Sequence, residues 1–256
     1  MVNILIEFWA KKIGNQPCLL QAKQRKRRAN LEPIDFICMW IAELVPLSAT
    51  IFSFIYGLKH FFKKGKPLFL QSVTMAMGCH ALGSIYHFCQ TLTTESVLEG
   101  FTPAYLGRIG FFLFFIAASY GQMDRIVDDG TPKIRPSRYI ALIAPVVALL
   151  LFIPNALMED LPIKTKISVF LVWAPAMVSV YYNLKHAIIP DFDFGFIKAI
   201  KPYNVCAVIL GFAELSCLTA WDYFYNAPLV ITSIIFAVVC VVTMFMAKKG
   251  ADRWKI

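Results

Sequence analysis

Two histidines in one long apolar stretch are the residues of this sequence best suited to chemistry. His80 and His87 lie within residues 69–94, together with Ser84 and Thr91. The four occupy positions i, i+4, i+7 and i+11, so a helix would place them along a single stripe. An imidazole can act as an acid or a base, bind a metal or form hydrogen bonds. The spacing therefore predicts a polar face on an otherwise apolar helix.

Ionisable residues also interrupt apolar stretches elsewhere in the chain, namely Glu43, Arg108, Glu214 and Asp222. A charged group at membrane depth is costly, and such groups commonly mark binding sites, ion paths or catalytic centres. Arg108 requires a counter-ion, and the three carboxylates are the candidates. Counted along their segments, the interior ionisable residues lie between mid-depth and one common face. We therefore expect them to meet in a polar pocket.

An aromatic run surrounds the last of these carboxylates, with Trp221, Tyr223 and Tyr225 next to or near Asp222. These rings could form the rim of the pocket or an aromatic belt at a membrane surface. The predicted ligand-binding residues are Glu43, His80, Ser84, His87, Arg108, Glu214, Trp221, Asp222 and Tyr223.

The spacing of the histidines argues against a shared metal ion. His80 and His87 are seven residues apart, which is about 10.5 Å along a helix. Ligands of zinc lie only about 2 Å from the ion, so both imidazoles cannot bind one zinc. Each would need partners from other segments, such as Glu214 for His80, or Glu43 or Asp222 for His87. We predict neither a metal nor a cofactor.

The segments that would position these residues are long and apolar. Apolar residues make up 58% of the 256 residues and charged residues 16%, against about 25% charged residues in soluble domains. A membrane-spanning helix needs about 20 apolar residues. Seven spans are predicted, at 35–58, 68–94, 104–122, 139–158, 166–188, 200–226 and 227–247.

The predicted fold class is thus an all-α integral membrane protein, with seven transmembrane helices in one bundle. Three regions are expected: a short basic N-terminal tail at 1–34, the transmembrane domain at 35–247 and a basic C-terminal tail at 248–256. Pairs of glycines, Gly78 with Gly83 and Gly107 with Gly110, should permit close contacts between helices. Prolines inside the spans, such as Pro145, should kink them.

The distribution of Lys and Arg predicts the orientation. Fifteen basic residues lie in 59–66, 123–138, 185–201 and the C-terminal tail, against two in the opposite connections. Cytoplasmic loops carry the excess of positive charge, so the C-terminus is predicted to be cytoplasmic. The seven basic residues of the N-terminal tail oppose this orientation. Because the net charge of +9 comes from these clusters, it does not indicate a nucleic-acid partner.

The function expected from the sequence is binding or sensing of a small molecule or lipid in a polar pocket in the outer half of the bundle. Membrane lipids and a membrane-protein partner are the expected associations. Two alternatives use the same residues: an intramembrane lipid-modifying enzyme, either a hydrolase or a transferase, and an ion- or proton-coupled transporter. The chain has no GxSxG, HExxH or Walker-type motif, so the choice between enzyme and binding protein stays open.

Overall fold

The structure of the protein is a computed structural model that describes residues 33–62, 67–93, 101–124, 128, 132–157, 163–189, 196–223 and 227–253. Regular structure in these ranges is entirely helical. Residues 1–32 of the predicted N-terminal tail and residues 254–256 lie outside the described ranges. The α-helices are α1 (Pro33–Phe61), α2 (Leu68–Thr93), α3 (Pro103–Ile116), α4 (Arg135–Ala141), α5 (Ile143–Leu157), α6 (Ile163–Ile188), α7 (Phe196–Tyr223) and α8 (Ala227–Arg253).

Seven helical segments in the described ranges are long and apolar enough to cross a membrane. Helices α4 and α5 together form one of these segments, Arg135–Leu157. The π-helix Ala117–Asp124 directly continues α3. The prediction of an all-helical chain with seven long apolar segments is confirmed. The last segment differs from its predicted end at 247, because α8 continues to Arg253. This extension is favoured by Ala247, Lys248 and Lys249, because alanine and lysine are good helix formers.

A proline accounts for the break between α4 and α5. The break falls at Leu142, three residues before Pro145. Pro145 has no N–H to donate to the carbonyl of Ala141, and its ring crowds that turn. The Leu142 N–H instead donates to the carbonyl oxygen of Tyr139 at 3.1 Å, which closes a tighter turn. The predicted kink in this segment is therefore present.

Six of the helices pack in a closed ring, in the order α1, α2, α3, α6, α7, α8 and back to α1. Helices α4 and α5 lie outside this ring, against α6 and α7. The indole Nε1 of Trp173 on α6 donates to the carbonyl oxygen of Ala148 on α5 at 2.9 Å. Large aromatic side chains fill the interior, among them Phe69, Phe111 and Tyr203. The ring order brings α2, α3, α7 and α8 around one interior.

Helices α2 and α3 approach each other at two glycines. A Cβ atom added to Gly107 would lie 2.6 Å from Gly83 Cα and 2.7 Å from the carbonyl oxygen of Cys79. A Cβ atom on Gly83 would lie 2.9 Å from the carbonyl oxygen of Ala104. No side chain fits at either position unless the backbones separate, so the predicted close contact is confirmed here. Ser84 and Arg108 follow these glycines in the sequence and are positioned by this contact.

Candidate functional site

A cavity of about 50 Å³ lies between five helices. Its lining consists of Ala42, Glu43 and Pro46 from α1, His80, Ser84 and His87 from α2, Arg108 from α3, Glu214 and Cys217 from α7, and Ser233 and Phe236 from α8. Six of the nine predicted ligand-binding residues are among them. The structure therefore gathers residues that are more than 170 positions apart in the sequence.

Glu214 lies between Arg108 and His80 in the wall of the cavity. Its Oε1 accepts a hydrogen bond from Arg108 Nε at 2.9 Å, and its Oε2 lies 3.1 Å from His80 Nε2. The residue is only 3% exposed. A buried carboxylate requires such partners, because an unpaired charge away from water is very costly. Three carboxylates were predicted as possible counter-ions of Arg108, and the structure shows Glu214 in contact with it.

The guanidinium of Arg108 makes a single hydrogen bond with the described residues, through Nε to Glu214. Its two terminal amino groups are not used in that bond. The side chain is 22% exposed, whereas the carboxylate beside it is nearly buried. Arg108 thus has one N–H held by the protein and further N–H donors on its terminal amino groups.

The imidazole of His80 has a polar neighbour at each ring nitrogen and contacts two aromatic rings. Ser84 Oγ lies 3.2 Å from Nδ1, and Glu214 Oε2 lies near Nε2. Phe236 stacks on the ring with centroids 4.8 Å apart, and Phe111 contacts it at 5.1 Å with a steep tilt between the planes. Although Nε2 is within ion-pair distance of the carboxylate, it makes no aligned hydrogen bond with a described residue.

A second carboxylate pairs with the other histidine. Glu43 Oε1 lies 3.5 Å from His87 Nδ1 and accepts a hydrogen bond from Thr91 Oγ1 at 3.1 Å. The four residues of the predicted stripe on α2 therefore all lie toward this side of the helix. Each histidine contacts a carboxylate from another helix. In the described part of the chain, no three His, Cys, Asp or Glu residues are grouped so that they could hold a metal ion.

The predicted aromatic rim cannot be placed. Trp221, Asp222 and Tyr223 form the last turn of α7, but their side chains lie outside the described part of the structure, and so does Tyr225. Their contribution to the pocket stays a prediction.

Several lining residues were missed by the sequence analysis. Cys217 lies one turn after Glu214 on the same face of α7, so helical periodicity could have found it. Ser233 and Phe236 lie on α8, which carries no ionisable residue near them. Only the packing of α8 beside α2 and α7 shows that they reach the cavity.

A separate ionic cluster lies at the end of the π-helix that follows α3, where Asp124 is 16 residues beyond Arg108. Lys185 of α6 contacts both Asp124 and Asp128, the latter with Nζ at 2.6 Å from Oδ2. His186 Nε2 lies 2.9 Å from Asp124 Oδ1, and Arg138 Nε donates to Asp128 Oδ2 at 2.9 Å. Arg138 and Lys185 entered the prediction of orientation only, and these ion pairs were not predicted from the sequence. Their charges compensate one another, and they join α4, α6 and the end of the π-helix.

We expect the Asp124 carboxylate to stabilise the fold by an amount that depends on pH. Burial raises the pKa of Asp124, but hydrogen bonds from His186 and Lys185 outweigh it and hold the pKa below the ordinary 3.8. The stabilisation is therefore complete above that ordinary value and disappears as the pH falls through the lowered pKa. At neutral pH, Asp124→Asn should reduce the unfolding free energy by about 1–3 kcal/mol, because buried His186 loses its charged partner and Lys185 keeps only Asp128.

The measurement is the thermal unfolding temperature of wild type and Asp124→Asn between neutral pH and pH 2. The difference in unfolding temperature between the two proteins should disappear toward acid pH. A difference that stays constant over this range would contradict a stabilising role for the charged carboxylate.

In comparisons with known proteins, the chain matches no protein-family model, no curated protein and no solved structure.

Proposed function

We propose that this chain is a multi-pass integral membrane protein that binds the anionic group of a small molecule or lipid in the cavity between α1, α2, α3, α7 and α8. The membrane assignment is supported by the seven long apolar helices. It is also supported by the apolar side chains on the outer surface, such as Leu82, Leu106, Ile143 and Val238, which are exposed. Soluble proteins rarely expose large apolar patches. The charge distribution supports a cytoplasmic C-terminus and, with it, a cavity in the outer half of the bundle.

The observation that carries the proposal is the arrangement of Arg108. Glu214 fixes the guanidinium through Nε, so the terminal amino groups keep a defined direction. Guanidinium groups bind carboxylates and phosphates through paired N–H donors. The hydroxyl of Ser84 lines the same cavity and adds another polar contact.

The size of the cavity restricts the ligand. Its volume of about 50 Å³ is far below the roughly 300–1,000 Å³ of pockets for drug-sized ligands. A single carboxylate or phosphate group is the kind of ligand that such a cavity can take, with the remainder of the molecule outside it. A lipid headgroup and a free small anion share this chemistry, and experiment can separate them.

Replacing Arg108 by glutamine should weaken binding of a phosphate headgroup about 10- to 150-fold, because a hydrogen bond to a charged group contributes about 1.5–3 kcal/mol. The probe is a single-chain lipid with a phosphate headgroup, titrated into detergent-purified protein while the unfolding temperature is followed. A ligand that binds the folded state raises this temperature with concentration. Arg108→Lys should show an intermediate affinity, because it keeps the charge but not the paired donors.

Inorganic phosphate forms the second arm of this experiment. A shift with the lipid but not with inorganic phosphate identifies a headgroup site, and equal shifts identify a site for free anions. Lys164→Gln, which removes an exposed positive charge at the start of α6, is the matched control and should behave as wild type. Absence of any shift in wild type, or equal shifts in wild type and Arg108→Gln, would refute anion binding by Arg108.

A further inference from the structure

The contacts around His80 form a continuous series of a hydroxyl, an imidazole and a carboxylate. Ser84 Oγ lies 3.2 Å from Nδ1 of the ring, and Glu214 Oε2 lies 3.1 Å from Nε2. A nucleophilic hydroxyl, a base within hydrogen-bond distance and a third group that orients the base are the requirements for nucleophilic catalysis by serine. The roles of the two ring nitrogens are exchanged relative to the common serine triad, but the order of groups is the same.

We propose that Ser84 is the nucleophile of an acyl-transfer reaction on a lipid ester, with His80 as its general base and Glu214 as the residue that positions His80. The proposal rests on the proposed function for capture of the anionic headgroup by Arg108. It adds the chemistry performed on the bound lipid and identifies the substrate class as an ester with an anionic headgroup.

The Ser84 hydroxyl contacts a side chain, whereas many hydroxyls on these helices contact their own backbone. A serine or threonine inside a helix commonly donates to the backbone carbonyl four residues earlier. Nine other helical residues do so within the described ranges: Thr50, Thr74, Thr91, Thr93, Ser119, Ser168, Thr219, Thr232 and Thr243. The hydroxyl of Ser84 instead lies beside the side chain of residue 80. It is half-buried and borders the cavity, so it would face an ester carbonyl directly next to the anionic group that the cavity holds.

The buried carboxylate favours the tautomer that this chemistry requires. With the proton on Nε2, next to Glu214, the lone pair of Nδ1 faces the hydroxyl of Ser84. The aromatic rings of Phe111 and Phe236 limit rotation of the imidazole. The Nε2–H direction does not yet align with the carboxylate, and catalytic hydrogen bonds are often poorly aligned before a substrate binds.

The reaction has two balanced stages. Ser84 Oγ attacks the ester carbonyl carbon while its proton moves to His80 Nδ1. The carbon–oxygen bond to the alcohol then breaks, the alcohol takes the proton from His80, and an acyl-Ser84 ester remains. Water attacks this ester in the second stage and gives one proton to His80. His80 returns it to Ser84 as the fatty acid leaves.

The test is covalent labelling of the purified chain by an alkyl fluorophosphonate, followed by peptide mass spectrometry. The probe forms a bond between phosphorus and an activated serine oxygen and releases fluoride. We expect the adduct on Ser84 in wild type and no adduct in Ser84→Ala. A control with another helical serine, Ser168→Ala on α6, should be labelled at the wild-type rate. General-base catalysis contributes about 10²–10⁴-fold, so His80→Gln should slow labelling by at least about 100-fold.

Glu214 requires a readout that loss of stability does not imitate. In Glu214→Gln, labelling should slow and its dependence on pH should shift, because the carboxylate no longer influences the imidazole. Glu214→Asp should restore part of the rate at the wild-type pH profile. If wild type, Glu214→Gln and Glu214→Asp had equal labelling rates and equal pH profiles, Glu214 would have no role in the reaction.

Two outcomes overturn the proposal: wild type without an adduct on Ser84, or release of fatty acid from a single-chain phosphate-headgroup ester at the same rate in wild type and Ser84→Ala. Since Ser84 is half-buried, the alanine variant should fold, which its unfolding temperature will show. Absence of labelling in wild type, together with a headgroup-induced temperature shift, would refute the acyl transfer and leave the binding function standing. Labelling of Ser84 without that shift would refute the headgroup assignment.

Discussion

Glu214→Ala is expected to lose about 3–5 kcal/mol of unfolding free energy, because removing one partner of a buried ion pair leaves the other charge uncompensated. In this protein two groups lose their partner together. Arg108 Nε and His80 Nε2 both lie within about 3 Å of the Glu214 carboxylate, at 2.9 and 3.1 Å. The loss should be measured by denaturation in mixed micelles, followed through tryptophan fluorescence.

An exposed ion pair provides the matched control. Lys248 Nζ lies 2.6 Å from Asp252 Oδ2 at i, i+4 on α8, and both side chains are about a third exposed. Surface pairs contribute about 0–1 kcal/mol, so Asp252→Ala should have a small effect. A Glu214→Ala loss no larger than that of Asp252→Ala would show that Glu214 does not hold the cluster together.

Coupling to Arg108 can be measured directly. The double variant Arg108→Ala with Glu214→Ala should be less destabilised than the sum of the two single variants, because the second substitution removes a charge that the first left unpaired. Contacting residues of this kind show coupling energies of about 0.5–3 kcal/mol. If the losses in unfolding free energy of the two single variants simply added up in the double variant, Arg108 and Glu214 would not form a stabilising ion pair.

Gly107→Ala should also be strongly destabilising, by about 1–3 kcal/mol, because a Cβ atom must be inserted into a contact that has no room for it. That atom would lie 2.6 Å from Gly83 Cα, and a backbone atom cannot move aside as a flexible side chain can. Helices α2 and α3 must therefore separate. Since Arg108 follows Gly107 directly, the guanidinium should move away from Glu214, and the headgroup-induced temperature shift should fall with the stability.

Gly121→Ala is the control for this substitution. A Cβ atom on Gly121 would meet no atom within 4 Å, so the methyl group costs no contact. In a helix, alanine is favoured over glycine by about 0.5–1 kcal/mol, so the variant should be neutral or slightly stabilised. If Gly107→Ala behaved like Gly121→Ala, the close approach of α2 and α3 would not determine the site.

The sequence was sufficient for the features that depend on local pattern. Hydropathy is a sum over neighbouring residues, so it predicted seven long apolar helices, which the structure contains. Helical periodicity placed His80, Ser84, His87 and Thr91 on one face. The break near Pro145 also follows from a local cause, the missing N–H of proline.

The tertiary structure decided which of these residues meet. Three carboxylates could have paired with Arg108, and the choice of Glu214, 106 residues away, depends on the order and rotation of helices around the ring. The same holds for Lys185 with Asp124 and Asp128, which are charges at separate segment ends in the sequence. Such contacts between distant residues are set by packing, which hydropathy and periodicity do not encode. Whether Ser84 bonds its own backbone or the His80 ring depends on a side-chain rotamer within that packing.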